Sequence, residues 1–370
     1  MYRIVTLIGT RPEIIKLSVL INKMNNYFQN FIIHTGQNYD YTLNRIFFKD
    51  LKLNKPHFFL NVKDKNLSKM IANIIYKTDR ILEKLKPDAV LVYGDTNSSL
   101  GIIAAKRRKI PIFHLEAGNR CFDQRVPEEI NRKIVDHLSD VNMVISNNAK
   151  QNLLDEGINK DFIFHVGSNM FEVVNKFQSQ IDKSKICNRL KLNKKGYILV
   201  SLHREENVDS KEKLRNILIG LNKIYVKKRV KIIISTHPRT AKNLKKFKLN
   251  FKNLRFLKPF GFFDYCNLQI NSLCTISDSG TIFEESSILN FPAITVRDSH
   301  ERHEGMDGGT VLVHSDFNFD FLKSINIAIK LRENARFKIN DYNQNFVSER
   351  IINIIQSYIP YINNKVWKKN

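Results

Sequence analysis

Short apolar runs separated by amphipathic stretches recur along most of this 370-residue chain, and that alternation restricts its fold more than any other feature. A run such as residues 3–8 or 89–93 has almost no polar positions, so as a strand it needs cover on both faces. Helical crossovers supply the cover, and the result is a parallel, doubly wound sheet. In the first half the pattern predicts strands at 3–8, 31–34, 89–93, 111–115 and 143–146. Helices are predicted at 13–24, 67–85, 96–107, 128–138 and 150–156. The pattern restarts after about residue 170. Strands follow at 197–201, 231–235, 273–277 and 293–296, with helices at 211–224 and 240–246 and a terminal helix at 346–359. The expected fold is α/β, with two Rossmann-like doubly wound domains facing a cleft. Their expected extents are 1–170 and 171–345, with residues 346–370 packing back on the first domain. In such sheets ligands bind beyond the carboxyl ends of the strands, so the informative residues should follow strands directly.

Composition narrows the class. A hydrophobic fraction of 42% supports packed cores. No run of eighteen uncharged apolar residues exists to span a bilayer. The start, Met1-Tyr2-Arg3, leads through a few apolar-leaning residues into Thr10-Arg11-Pro12-Glu13 with no small-residue cleavage site. A cytoplasmic protein without a membrane partner is therefore expected. Four cysteines, Cys121, Cys187, Cys266 and Cys274, form no paired motif, so reduced thiols and no metal site are expected. The formal charge of +24 invites a nucleic-acid reading. However, the basic clusters Lys106-Arg107-Arg108-Lys109, Lys227-Lys228-Arg229 and Lys245-Lys246 are short and far apart in sequence. Scattered lysine excess reads as compositional bias, and no nucleic-acid partner is expected.

The residues that follow strands carry the chemistry. Gly9-Thr10-Arg11-Pro12-Glu13 places Arg11 at a helix N-terminus, where an anion would find backbone donors. Asp95, in Gly94-Asp95-Thr96, is either a helix cap or a cleft carboxylate. The stretch from His114 to Arg132 holds Glu116, Arg120, Asp123, Arg125, Glu128, Glu129 and Arg132. Such charges beside a buried strand must pair with each other or with a ligand. Glu116 and Glu128 are the acid–base candidates, because carboxylates set close together share protons unequally. His203-Arg204 suits a diphosphate, and Thr236-His237-Pro238-Arg239 repeats the theme. Ser277-Asp278-Ser279-Gly280-Thr281 is a small-residue loop entering a helix, a place for phosphate. Glu285 in that helix is set to hold ribose hydroxyls. Arg297, Glu301 and Arg302 complete a polar rim. No dinucleotide fingerprint is present, so no cofactor is expected.

Together these motifs resemble the non-hydrolysing UDP-N-acetylglucosamine 2-epimerases, which have the glycosyltransferase-B fold. The likeness runs through Gly9 to Glu13, His34-Thr35-Gly36-Gln37, Gly94 to Thr96, Glu116-Ala117-Gly118, Pro127 to Arg132, His203-Arg204, Ser277 to Glu285 and Arg297 to Glu304. Three stretches, 34–41, 116–129 and 201–209, are similar to the branch that makes UDP-N-acetyl-L-fucosamine from UDP-2-acetamido-2,6-dideoxy-L-talose. The resemblance implies elimination of UDP across C1–C2 and its re-addition with C2 protonated from the other face, without metal or hydride carrier. It also implies catalytic Asp95, Glu116, Glu128 and His203. Arg11, Lys16, Arg120, Arg204, His237, Ser279, Gly280, Glu285 and Arg302 would bind the UDP-sugar. A homodimer serving capsule or O-antigen synthesis is implied as well. Thr281 stands where the family often has glycine. Asn38-Tyr39-Asp40-Tyr41 replaces residues that bind a second, activating substrate in the N-acetylglucosamine branch. Alternatives are a UDP-N-acetylglucosamine 2-epimerase and, more distantly, a glycosyltransferase of the same fold.

Overall fold

A computed structural model of the chain describes residues 1–36, 47–314, 320–334 and 338–369. The chain divides into two compact units, Met1–Asn175 with Gln344–Asn370, and Lys176–Asn343. Each is built on a parallel sheet flanked by helices. The first unit holds β1 (Arg3–Ile8), β2 (Gln29–His34), β3 (Phe58–Phe59), β4 (Ala89–Tyr93), β5 (Ile112–Ala117), β6 (Val141–Val144) and β7 (Ile163–His165). Their order is β3-β2-β1-β4-β5-β6-β7. The second holds β8 (Tyr197–Leu202), β9 (Lys231–Thr236), β10 (Leu254–Leu257), β11 (Cys274–Ser277), β12 (Ala293–Thr295) and β13 (Val311–Val313). Their order is β10-β9-β8-β11-β12-β13. Both sheets therefore reverse direction once, between β1 and β4 and between β8 and β11. These switch points open crevices at the strand carboxyl ends.

The central strands are apolar on both faces, as their burial requires. Val5, Leu7, Val90 and Val92 pack against Ile74 and Leu82 of the helix Leu67–Leu85. In the second unit Ile198, Val200, Ile232 and Ile234 pack with Leu214, Ile217 and Leu221 of the helix Lys211–Lys228. The strands absent from the sequence reading are β3, β7, β10 and β13, which are the four sheet edges. The single helix expected over 96–107 is instead a 3-10 turn, Asn97–Gly101, followed by an α-helix, Ile102–Arg107. Hydroxyls explain the change. Ser99 Oγ donates to Gly94 O (3.2 Å), and Ser98 Oγ bonds with Thr35 Oγ1 (2.7 Å). Such local bonds compete with the regular helical ladder.

The terminal helix, Val347–Lys365, belongs to the first unit and runs on through Pro360. Its stripe of Ile351, Ile355, Ile359 and Ile362 is buried, and Lys23 Nζ meets Glu349 at 2.7 Å. Replacing Ile355 by Ala should lower stability by about 2–5 kcal/mol, the range for a fully buried large-to-small change. A thermal or urea melt checks it.

Candidate active site

In the first unit the loops after β1, β4 and β5 converge at the switch point. Gly9 ends β1 where a side chain has no room. A Cβ there would lie 1.8 Å from Ser98 Oγ and 2.3 Å from Thr35 Oγ1. The helix Arg11–Met24 opens with a capping box between Thr10 and Glu13. Glu13 is buried and accepts from Gly9 N (2.5 Å), Thr10 N (3.2 Å) and Thr96 Oγ1 (2.7 Å). Burial outweighs these donors and pushes its carboxyl up to about 7. Arg11, half-buried, lies with its guanidinium 5.6 Å from the centre of the Phe47 ring.

One helical turn on, Lys16 is 2% exposed and its Nζ lies 2.6 Å from Glu116 Oε2. Glu116 sits near the end of β5 in a left-handed conformation (φ 64°), where the pairing with β6 shifts register. That bulge re-aims a carboxylate that the regular pleat would place on one face of the sheet. A non-glycine residue in this region costs about 1–2 kcal/mol. Gly94, also left-handed (φ 65°), leaves space beside it: a Cβ there would lie 3.9 Å from Glu116 Oε1.

Asp95 follows Gly94 and is held by Arg132 from the helix Pro127–Leu138, with Nε at 3.0 Å and Nη2 at 2.7 Å. Arg132 Nη1 also meets Glu129 (3.0 Å), while Asn131 donates to Asp95 O (3.0 Å). Glu129 accepts from the amides of Cys121 and Phe122, both at 3.1 Å, so it pins the loop between β5 and this helix. Glu128 is half-buried in the first turn of the same helix. Fold and site are thus joined: one helix supplies Glu128 and braces Asp95 through Arg132 and Asn131. Sequence reasoning placed Arg132 in the charged stretch but gave it no role. The i, i+3 spacing from Glu129 was the available signal.

Arg120 is expected at the ligand. Its side chain is fully buried, with Asp136 at 2.6 Å and Glu156 at 2.5 Å. Asp136 in turn meets His114 Nδ1 (2.8 Å) and accepts from Gly118 N (3.2 Å). Hydrogen bonding to Arg120 holds the Glu156 carboxyl down at about 2. Two carboxylates and the backbone carbonyl of Asn119 (2.7 Å) saturate the guanidinium, so Arg120 braces the end of β5 from inside.

In the second unit the switch point brings together His203, after β8, and Asp278, after β11. The buried Asp278 carboxylate accepts from His203 N (3.0 Å), Arg204 N (3.0 Å) and Asn207 Nδ2 (3.1 Å). It also meets His203 Nδ1 at 2.9 Å. Burial alone would raise this carboxyl. The charge and hydrogen bond of His203, with the donors of Arg204 and Asn207, outweigh it and hold the group at about 2. With Nδ1 engaged, the ring turns its Nε2 edge away from Asp278. The His237 ring lies 5.7 Å from that of His203, and its Nδ1 accepts from Arg239 N (3.2 Å). Asp278 was quoted in the sequence only as part of a loop. Its position at the end of a central strand was the signal for its role.

The Ser279-Gly280-Thr281 loop leads into the helix Ile282–Leu289. Gly280 is confined: a Cβ would lie 2.8 Å from Glu301 Oε1 and 3.4 Å from Arg297 Nη1. Thr281 is accommodated, with its hydroxyl 2.9 Å from Ser279 Oγ. Glu285 is buried and accepts from Gln269 Nε2 at 2.6 Å. Arg297 and Arg302 do not form the expected rim. Both are 2% exposed, Arg297 drawn in by Glu301 (2.8 Å) and Arg302 by Glu284 (3.6 Å) and Glu304 (4.0 Å). Residues 38–41 lie outside the described residues. Among the described residues no His, Cys, Asp and Glu group is arranged to hold a metal, and no helix is long and apolar enough to cross a membrane.

Two doubly wound units, each with charged and small residues gathered at its switch point, make up the glycosyltransferase-B fold. A family model described as UDP-N-acetylglucosamine 2-epimerase matches residues 22–356. The structure of UDP-N-acetylglucosamine 2-epimerase from Rickettsia bellii is similar with a TM-score of 0.90, at 46% identity over 100% of both chains. That of Methanocaldococcus jannaschii UDP-GlcNAc 2-epimerase, in complex with UDP-GlcNAc and UDP, has a TM-score of 0.89 at 35% identity, covering 96% of this chain and 99% of that one. The UDP-2,3-diacetamido-2,3-dideoxy-D-glucuronate 2-epimerase of Pseudomonas aeruginosa is 34% identical over 84% of this chain and 88% of its own. The chain belongs to the UDP-N-acetylglucosamine 2-epimerase family. It is an isomerase, an epimerase of UDP-sugars.

Proposed function

We propose that this chain interconverts UDP-2-acetamido-2,6-dideoxy-β-L-talose and UDP-N-acetyl-L-fucosamine by inverting C2. The observation that carries the chemistry is the pairing of Glu116 with Lys16 beside an Asp95 clamped by Arg132. A carboxylate takes the C2 proton while the C1–O bond breaks and its electron pair leaves with UDP, forming a C1=C2 glycal. A second carboxylic acid then returns a proton to the opposite face of C2 as the UDP oxygen re-adds to C1. Asp95, Glu116 and Glu128 share these roles, and the same carboxylates stabilise the positive charge that develops at the ring. The first unit works on the sugar. The second holds UDP, with His203, Arg204 and His237 at the diphosphate, Ser279 and Gly280 at phosphate, and Glu285 at ribose. Arg11 and Lys16 assist from the first unit.

For the 6-deoxy sugar, the supporting observation is Phe122. It is 69% exposed, on the loop that Glu129 fixes between β5 and the helix carrying Glu128. An apolar ring suits a C6 methyl group and is ill-matched to a hydroxymethyl. The Rickettsia bellii and Methanocaldococcus jannaschii proteins favour a second reading, epimerisation of UDP-N-acetylglucosamine itself. A homodimer and a cytoplasmic role in capsule or O-antigen synthesis accompany the first reading. Incubating the protein with each UDP-sugar in deuterated water tests both. The expected result is equilibration of the 6-deoxy-L-talo and L-fuco sugars, with deuterium at C2 of the product. Turnover of UDP-N-acetylglucosamine alone would select the second reading, and unlabelled product would contradict deprotonation at C2.

A further inference from the structure

The positive charge of this chain is not spread as its sequence suggests. Residues 213–263 contain fifteen Lys and Arg and no Asp or Glu, and residues 183–204 contain seven and none. The fold brings parts of these stretches to one place. Residues 183–196 lead into β8. The helix Lys211–Lys228, capped by the left-handed Arg229, leads into β9, and residues 245–252 lead into β10. All three connections therefore meet at the amino ends of adjacent strands, where Tyr197 pairs with Lys231 and Leu254 with Ile232. Contacts tie them together: Lys231 Nζ donates to Lys191 O (2.6 Å), and Arg255 Nη1 donates to Leu190 O (3.0 Å). Lys191, Lys194, Lys227, Lys228 and Arg229 are exposed. Among the described residues none of these five is in an ion pair, unlike Arg189, Lys213 and Arg239.

This end of the sheet is the far side from His203 and Asp278. A six-residue strand is roughly 17–20 Å long, so cations here do not serve a ligand at the carboxyl ends. Helix dipoles account for a few of them, since helices ending at Arg189, Lys228 and Lys246 point their negative ends this way. They do not account for the carboxylate-free stretches as a whole. The exposed side chains beside Lys227 and Lys228 are apolar: Tyr225 is 36% and Val226 60% exposed.

We infer that the amino-end face of the second unit is a docking surface for an anionic membrane. Exposed lysines around an apolar Tyr–Val pair match the chemistry of acidic headgroups with a shallow interfacial contact. Base recognition would instead call for arginine forks and exposed stacking rings. Lys227-Lys228-Arg229 and Lys245-Lys246 join residues 183–196 at one face only after folding.

Sedimentation of the full chain with lipid vesicles tests this. In about 0.1 M salt the protein should pellet with phosphatidylcholine vesicles containing about a third phosphatidylglycerol. It should not pellet with phosphatidylcholine alone, and about 0.5 M salt should release it. The variant K191E/K194E/K227E/K228E should lose about tenfold or more of the binding, with epimerase turnover unchanged and only a modest fall in melting temperature from the acid placed at the end of the helix Lys211–Lys228. A control of equal charge change on the first unit, K55E/K65E/K84E/K160E, should keep it. Failure to pellet with anionic vesicles would overturn the inference. So would equal losses in both variants, which would reduce the effect to net charge. Retention of a nucleic-acid duplex in salt that releases the vesicles, lost in the first variant, would reassign the face.

Discussion

Glu116→Gln should turn over its UDP-sugar about a hundredfold or more slowly than the parent chain, and Asp95→Asn should fall comparably, the scale of a lost general acid or base. The geometry separates this loss from simple damage. Glu116 and Lys16 form a 2.6 Å pair with Lys16 almost wholly buried, so the amide substitution removes a negative charge from beside a buried ammonium. Some loss of stability is therefore expected as well. Steady-state kinetics would show the fall in kcat, and calorimetric titration with UDP should show affinity within a few-fold of the parent. Near-normal turnover in both variants would remove these carboxylates from the proposed chemistry. A collapse of UDP binding together with turnover would mean that the pair supports the fold instead.

The second large effect concerns Asp278. Its carboxyl is held at about 2, against an ordinary value of 3.8. A depressed carboxyl contributes stability that is fully present above the unfolded value and lost as pH falls through about 4 towards 2. The difference corresponds to about 2 kcal/mol at neutral pH. Asp278→Asn should lower unfolding free energy by about 2–3 kcal/mol at pH 7 and flatten its decline between pH 4 and 2. It should also weaken UDP binding about tenfold or more, because His203 and Arg204 lose the anchor for their backbone amides. Urea melts across pH and a UDP titration provide the two readings. An unchanged pH profile would show that Asp278 is not the group responsible.

The strands legible in the sequence were those buried on both faces. Ile198, Leu199 and Val200 are each fully buried, so their run is apolar throughout. The edge strands β3, β7, β10 and β13 have cover on fewer sides. Phe58 and Phe59 are only half-buried, and Arg255 in β10 is exposed, so no continuous apolar run marked them. A similar division holds for the site. Residues directly after central strands, such as Asp95 and His203, were legible from position. Arg132 was not, because it reaches Asp95 from a later helix. The depth of Arg120 and Arg302 was equally hidden, since a charged residue reads as surface until the carboxylates that neutralise it are located in space.

The first unit borrows its last helix from beyond the second. During synthesis on a ribosome, residues 1–175 emerge long before Val347–Lys365. The apolar surface awaiting Ile351, Ile355 and Ile359 stays open to water for the whole time that the second unit is made. Clipping the chain after residue 343 would spare the second unit and expose that surface permanently. Nascent chains of this protein should accordingly depend on chaperone protection until their final residues arrive.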